Sequence, residues 1–248
     1  MSSEWWETFF SGIVLDMWQQ AIPEEYTRAE AKFISGLLQL PPGAHILDAP
    51  CGEGRIAREL AAKGYQLTGV DFAQDFLEIG RTKAKQRGLT ISFEHGDVRS
   101  LGFVEDFDGV ICWGNSFGYF DDAGNTAMLQ SLARALKPGG RLVLDASGNA
   151  ESRLPNFCER EWAKIGDILF LEENEFDHVQ GRMITHYTFV RDGKEEMRTG
   201  WHRIYTYREI CQMLEEAGFA RVESYASLNK DPFKLGASQL LMEAIKAS

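Results

Sequence analysis

Between His45 and Asp145, short apolar runs alternate with helix-patterned segments, and this rhythm constrains the fold more than any other feature of the chain. His45-Ile-Leu-Asp48 reads as a buried strand, Arg55 to Lys63 as a helix closed by Gly64, and Gln66 to Val70 as a second strand ending at Asp71. Gln74 to Arg87 is the next helix and Leu89 to Phe93 the third strand. Phe107 to Trp113 is the fourth strand, Asn125 to Leu136 a helix, and Arg141 to Asp145 the fifth strand. Strands that alternate with helices at this spacing predict a parallel sheet with helices on both faces.

The rhythm breaks at Ser147. Ile168 to Phe176, Arg182 to Val190 and Glu195 to Tyr205 read as long strands, and Asp192-Gly193 is a two-residue hairpin turn. They predict an antiparallel meander of three strands, inserted before the last helix, Tyr207 to Ala217. Phe219 to Tyr225 and Gln239 to Ile245 complete the core. At the other end, Phe9, Phe10, Ile13, Val14, Met17 and Trp18 form a helix-spaced apolar stripe, and Glu24 to Leu40 forms a second helical run. The expected organisation is a helical lid over 1–40, a core over 41–147 and 206–248, and a β insert over 148–205.

Composition excludes several classes. At 44% hydrophobic and 25% charged residues the chain is an ordinary globular one. No apolar run approaches the ~20 residues of a membrane span. The opening MSSEWWETFF lacks the basic and then apolar pattern of a signal peptide, so a cytoplasmic location is expected. A formal net charge of -11 argues against nucleic acid as a partner. Cys51, Cys112, Cys158 and Cys211 show no CxxC, and the five histidines no H-x-x-x-H pair, so neither a disulfide framework nor a metal site is expected.

The first strand runs into Asp48-Ala-Pro-Cys-Gly52-Glu-Gly54-Arg-Ile-Ala57. Gly52, Gly54 and Ala57 match the dinucleotide pattern, and Asp71 stands at the end of the next strand, where a ribose-binding acid belongs. Asp48 discriminates between ligands. A pyrophosphate seated at a helix N-terminus would be repelled by a carboxylate opening the loop. S-adenosylmethionine has no phosphate, and its ammonium and sulfonium are attracted to acids.

The stretch ILDAPCGEGR resembles motif I of the class I S-adenosylmethionine-dependent methyltransferases. GVDFAQDFL, HGDV, FDGVICWGNSFGYF, ALKPGGRLVLD and LLEEAGF follow in that family's order and spacing, so the resemblance spans residues 44–245. The WGNSFGYF segment and the hairpin insert look like a bacterial subgroup near small-molecule methyltransferases, amino-sugar N-methyltransferases among them. The resemblance implies an α/β, Rossmann-like seven-stranded class I methyltransferase fold with an antiparallel β insert and an N-terminal helical lid. It implies S-adenosylmethionine as cofactor, S-adenosylhomocysteine as product, and a small-molecule acceptor, in a monomer or homodimer. By position, Asp48, Ala49, Gly52 and Gly54 face the methionine half. Asp71 takes the ribose hydroxyls, Asp97 the adenine amino group with the Val98 amide nearby, and Phe72 the adenine face or the core. Trp113 lines the methyl-transfer site or packs in the core.

The acceptor side is less defined. Tyr119 is the candidate for the acceptor pocket, and His186 and His202, on facing strands of the insert, are candidates for a base or an orienting group. The Asn/Asp-Pro-Pro-Tyr/Phe signature of nucleobase and glutamine methyltransferases is absent after strand four; Asn115-Ser-Phe-Gly-Tyr119 stands there instead. Amine and hydroxyl acceptors both remain open. Rival readings are an NAD(P)-dependent oxidoreductase, on the glycine pattern alone, and a non-catalytic S-adenosylmethionine-binding protein.

Overall fold

A computed structural model describes residues 4–247. The helices are α1 (Trp5–Phe9), α2 (Ile13–Ala21), α3 (Glu24–Leu38), α4 (Arg55–Ala61), α5 (Gln74–Gln86), α6 (Asp122–Ala135), α7 (Ala150–Arg153) and α8 (Tyr207–Glu216). The strands are β1 (His45–Asp48), β2 (Gln66–Asp71), β3 (Ser92–His95), β4 (Phe107–Cys112), β5 (Leu136–Asp145), β6 (Arg160–Ile165), β7 (Ile168–Asp177), β8 (Arg182–Arg191), β9 (Lys194–Arg203), β10 (Phe219–Tyr225) and β11 (Leu241–Lys246).

Seven strands form one sheet in the order β10-β11-β5-β4-β1-β2-β3. β5, β4, β1, β2 and β3 run parallel, and β11 is antiparallel to both of its neighbours. Successive residues of a strand point to opposite faces, and here they divide between two helical layers. Ile46, Ile111 and Val143 pack with α3 and α4, while Leu47, Val110, Cys112, Leu142 and Leu144 pack with α6 and α8. Caps fix two helix starts. Asp121 accepts the Gly124 N–H at 2.8 Å, so α6 starts three residues before the sequence pattern suggests. Thr206 and Glu209 form a capping box on α8.

Three sequence expectations change. The insert has four antiparallel strands, in the order β6-β7-β8-β9, rather than three. β6 gave no signal because it is an edge strand whose first five residues are all exposed. The third core strand begins at Ser92; Leu89 and Ile91 instead pack on the cluster of Cys51, Leu77, Ala84 and Phe93. α3 is not part of a lid. Ala31, Phe33, Ile34, Leu37 and Leu38 bury it against the sheet, leaving α1 and α2 as the segment that spans from the core to the insert.

Candidate active site

The pocket lies beyond the carboxyl ends of β1, β2 and β4, where ligands bind in open α/β sheets. Trp6 from α1, Phe10 just after it, Trp18 from α2 and Ile22 beyond that helix contribute to its wall. Of the residues singled out in the sequence, Asp48, Gly52, Asp71, Phe72, Asp97, Val98, Trp113 and Tyr119 all line it.

Asp48 ends β1 and is 2% exposed. Its Oδ2 is buried with no hydrogen-bond partner among the described residues. Burial pushes its carboxyl up to about 7; Arg55 pulls the other way, and Asp71 adds to the rise. Asp71 ends β2 and braces the glycine loop, accepting the Gly52 N–H at 2.7 Å and the Ala73 N–H at 2.9 Å. Burial raises this carboxyl too, and the N–H groups of Ala73, Gly52 and Phe72 oppose the rise.

The two loop glycines serve different ends. Gly52 has φ 54° and faces the pocket, with open space where a Cβ would stand. Gly54 does not line the pocket. At φ 69°, a Cβ there would stand 2.6 Å from the Phe93 ring, so this glycine allows α4 to pack on the sheet. Ala49 is likewise buried and off the pocket wall, its N–H spent on the Ile111 carbonyl at 2.9 Å.

Asp97 lines the pocket, but its carboxylate is turned to Arg99, accepting from the Arg99 amide at 2.9 Å and from Nη2 at 2.7 Å. The Arg99 guanidinium lies 5.1 Å from the Trp6 ring centre and 4.6 Å from that of Phe120, and pairs with Glu4 at 3.4 Å. Arg99 therefore clasps α1 to the Asp97 turn, a cation–π arrangement. Phe72 packs edge-on against Trp6 at 4.7 Å.

Trp113 leaves β4 with its indole N–H donated to Glu30 Oε1 at 2.7 Å. Glu30, on α3, is 5% exposed and also receives both terminal nitrogens of Arg55. Sequence reasoning missed Glu30 and Arg55, because a charged residue on a helix ordinarily marks a solvated face.

The three acceptor-side candidates separate. The Tyr119 ring lies 4.7 Å from His202, and its carbonyl accepts the Trp5 indole N–H at 3.2 Å. Burial drives the Tyr119 phenol upward, so it stays protonated. His202 sits behind Tyr119 rather than on the pocket wall, with its Nε2 buried and without a hydrogen-bond partner among the described residues. Burial first, and then Arg153, hold its imidazole down at about 4, against a hydrogen bond donated to the Asn115 backbone. His186 projects from the opposite face of the insert; it is exposed and bonded to Thr199 Oγ1 at 3.0 Å. The structure does not bring His186 to the site: it alternates with Thr185 and Tyr187, and that other face is the one packed inward. No cluster of His, Cys, Asp and Glu with metal-binding geometry occurs among the described residues, and no helix is long and apolar enough to cross a membrane.

Comparison with known proteins agrees with this geometry. A family model described as a methyltransferase domain matches residues 46–140. A methyltransferase of Geobacillus sp. (strain WCH70) is 25% identical over 245 residues, covering 92% of this chain and 91% of that one. The CcbJ methyltransferase of Streptomyces caelestis superposes with a TM-score of 0.81 at 19% identity, over 98% of this chain and 99% of that one. An amino pentose methyltransferase of Micromonospora echinaspora, solved with S-adenosylmethionine bound, gives a TM-score of 0.69 at 18% identity, over 96% and 98% of the two chains. The structural likenesses speak for the fold, and the domain match covers the stretch that carries the glycine loop and both acidic strand ends. Nothing in this supports the oxidoreductase reading or the non-catalytic one, and the chain is a class I S-adenosylmethionine-dependent methyltransferase.

Proposed function

We propose that the protein methylates a small molecule, and that the acceptor atom is an amine nitrogen. The observation that carries this reading is the walling of the pocket. Trp6, Phe10 and Trp18 from the N-terminal segment close over it, leaving an aromatic chamber rather than an open groove for a polymer.

The residues present fit the cofactor. The orphaned, buried Asp48 Oδ2 is an acceptor suited to the ammonium of S-adenosylmethionine, and a buried polar atom left unpaired is costly. Asp71 keeps lone pairs for the ribose hydroxyls while bracing Gly52, and Gly96, Asp97 and Val98 border the adenine end. When bound, S-adenosylmethionine supplies a methyl group on a sulfonium, which an in-line lone pair displaces to leave S-adenosylhomocysteine.

The chain's own contribution is orientation and exclusion of water. Trp113, Ser116 and Tyr119 wall the end near β4, and the insert caps it from behind. Holding the reacting atoms ~3–3.5 Å apart and collinear supplies much of such an acceleration. At the end near β4 the Tyr119 phenol stays protonated, and His202 is neutral and one layer back. A hydroxyl acceptor calls for a base matched to the working pH, whereas an amine need only be unprotonated. The Micromonospora echinaspora relative acts on an amino pentose, a small molecule that carries an amine.

Matched pairs of small amines and the corresponding alcohols, each incubated with S-adenosylmethionine and followed by S-adenosylhomocysteine release, test the reading. Turnover confined to amines supports it. Turnover confined to alcohols overturns the choice of nitrogen.

A further inference from the structure

The Arg55 guanidinium, on the pocket wall, is attracted to two buried carboxylates, Asp48 and Glu30. Arg55, the first residue of α4, is the leading favourable charge acting on Asp48. Yet among the described residues no hydrogen bond from Arg55 reaches Asp48, and its Oδ2 has no partner. Arg55 is held elsewhere: both of its terminal nitrogens donate to Glu30, and Nη1 also reaches Thr27 Oγ1 at 3.4 Å. Glu30 is itself fixed from a third side by the Trp113 indole.

Arginine and a carboxylate frequently pair through two parallel hydrogen bonds, and Arg55 spends both of its terminal nitrogens on Glu30 in this way. Were Arg55 to turn to Asp48, the pair would satisfy the orphaned oxygen, and an incoming ammonium would have to displace a buried ion pair. We propose that Glu30 is a positioning residue that captures Arg55 and so keeps Asp48 free for the ammonium of S-adenosylmethionine. The inference rests on the reading that Asp48 takes that ammonium. It assigns to α3 a part in cofactor binding without contact to the cofactor. The other ionisable groups around Asp48 are Asp71 from β2 and the thiols of Cys51 and Cys112, and among the described residues the side-chain bonds of Arg55 go to Glu30 and Thr27 instead.

The test compares two ligands by calorimetry: S-adenosylhomocysteine, and its deaminated analogue, which keeps the carboxylate and lacks the amino group. The quantity read is the ratio of their affinities. In Glu30→Gln the Trp113 bond retains its acceptor, while the charge that captures Arg55 is lost. The ratio should fall about tenfold or more. In the double variant Glu30→Gln/Arg55→Met the competitor is gone as well, and the ratio should return to within about threefold of the wild-type value. A purely structural role for Glu30 predicts no such rescue. An unchanged ratio in Glu30→Gln, or a double variant no better than the single one, overturns the proposal. Arg55→Met alone serves if Glu30→Gln fails to fold: a ratio at or above wild type supports the proposal, and a fall overturns it. Asp48→Asn separates the two layers of the argument. If it weakens both ligands equally, the ammonium reading itself has failed and the proposal falls with it. If it lowers the ratio while Glu30→Gln does not, only the role of Glu30 is wrong.

Discussion

The Trp5 ring lies so close to Gly200 that a Cβ on Gly200 would stand 2.9 Å from it. α1 thereby docks directly onto β9 of the insert, and the same tryptophan reaches Tyr119 through its indole N–H. Gly200→Ala should push Trp5 outward. Overpacking of this kind costs about 1–3 kcal/mol, so thermal unfolding should shift down and tryptophan fluorescence should report a more solvated indole. An alanine variant with wild-type melting and emission would show that α1 is not seated there.

Asp71 is expected to do two jobs at once. Asp71→Ala removes the acceptor for the Gly52 and Ala73 N–H groups as well as the ribose contact. Leaving hydrogen-bonding groups unpaired costs about 1–3 kcal/mol each. Calorimetry should show S-adenosylhomocysteine binding weakened by at least that much, with a modest loss of stability from the loosened loop. Full affinity in a folded variant would remove Asp71 from the site.

Asp48 gives the pH dependence a definite sign. Its carboxyl rises from 3.8 to about 7 in the folded protein, mainly through burial. Without ligand, this contributes stability that is complete below 3.8 and is lost as pH rises through about 7. Ligand binding runs the other way, since an ammonium needs the carboxylate. Affinity for S-adenosylhomocysteine should therefore fall as pH drops below about 7, by at most about tenfold per unit. Titrations across that range check it, and Asp48→Asn should flatten the profile while stabilising the unliganded protein at alkaline pH.

The two insert histidines should differ. His202→Gln, behind Tyr119, should lower acceptor turnover while S-adenosylmethionine affinity stays within about threefold, roughly 0.7 kcal/mol. His186→Ala, on the outer face, should leave both unchanged. Equal losses in the two variants would contradict the placement of the sheet.

That contrast marks how far the sequence could be read. Asp48, Gly52 and Asp71 were legible because each sits at a fixed offset from a strand end, where backbone geometry dictates position. Period-two alternation put His186 and Tyr187 on opposite faces of one strand, but nothing local says which face meets the core; Phe189 and Phe9 decide that by packing. The apolar stripe of α3 announced burial without naming its partner, which proved to be the sheet. Glu30 and Arg55 lie 25 residues apart and meet only because α3 and α4 pack together, so no motif could pair them. Gly54 shares the loop with Gly52, yet its neighbour in space is Phe93, a contact no local pattern announces.

The claim that the acceptor is a small molecule is tested most directly by label partition. The protein is incubated with methyl-labelled S-adenosylmethionine and an extract of bacterial cells, and the mixture is divided by ultrafiltration. Transferred label is expected in the low-molecular-weight filtrate, on a product one methylene heavier than an amine in the extract, and should be lost with Asp71→Ala. Label retained with protein or nucleic acid, and equally dependent on Asp71, would contradict it.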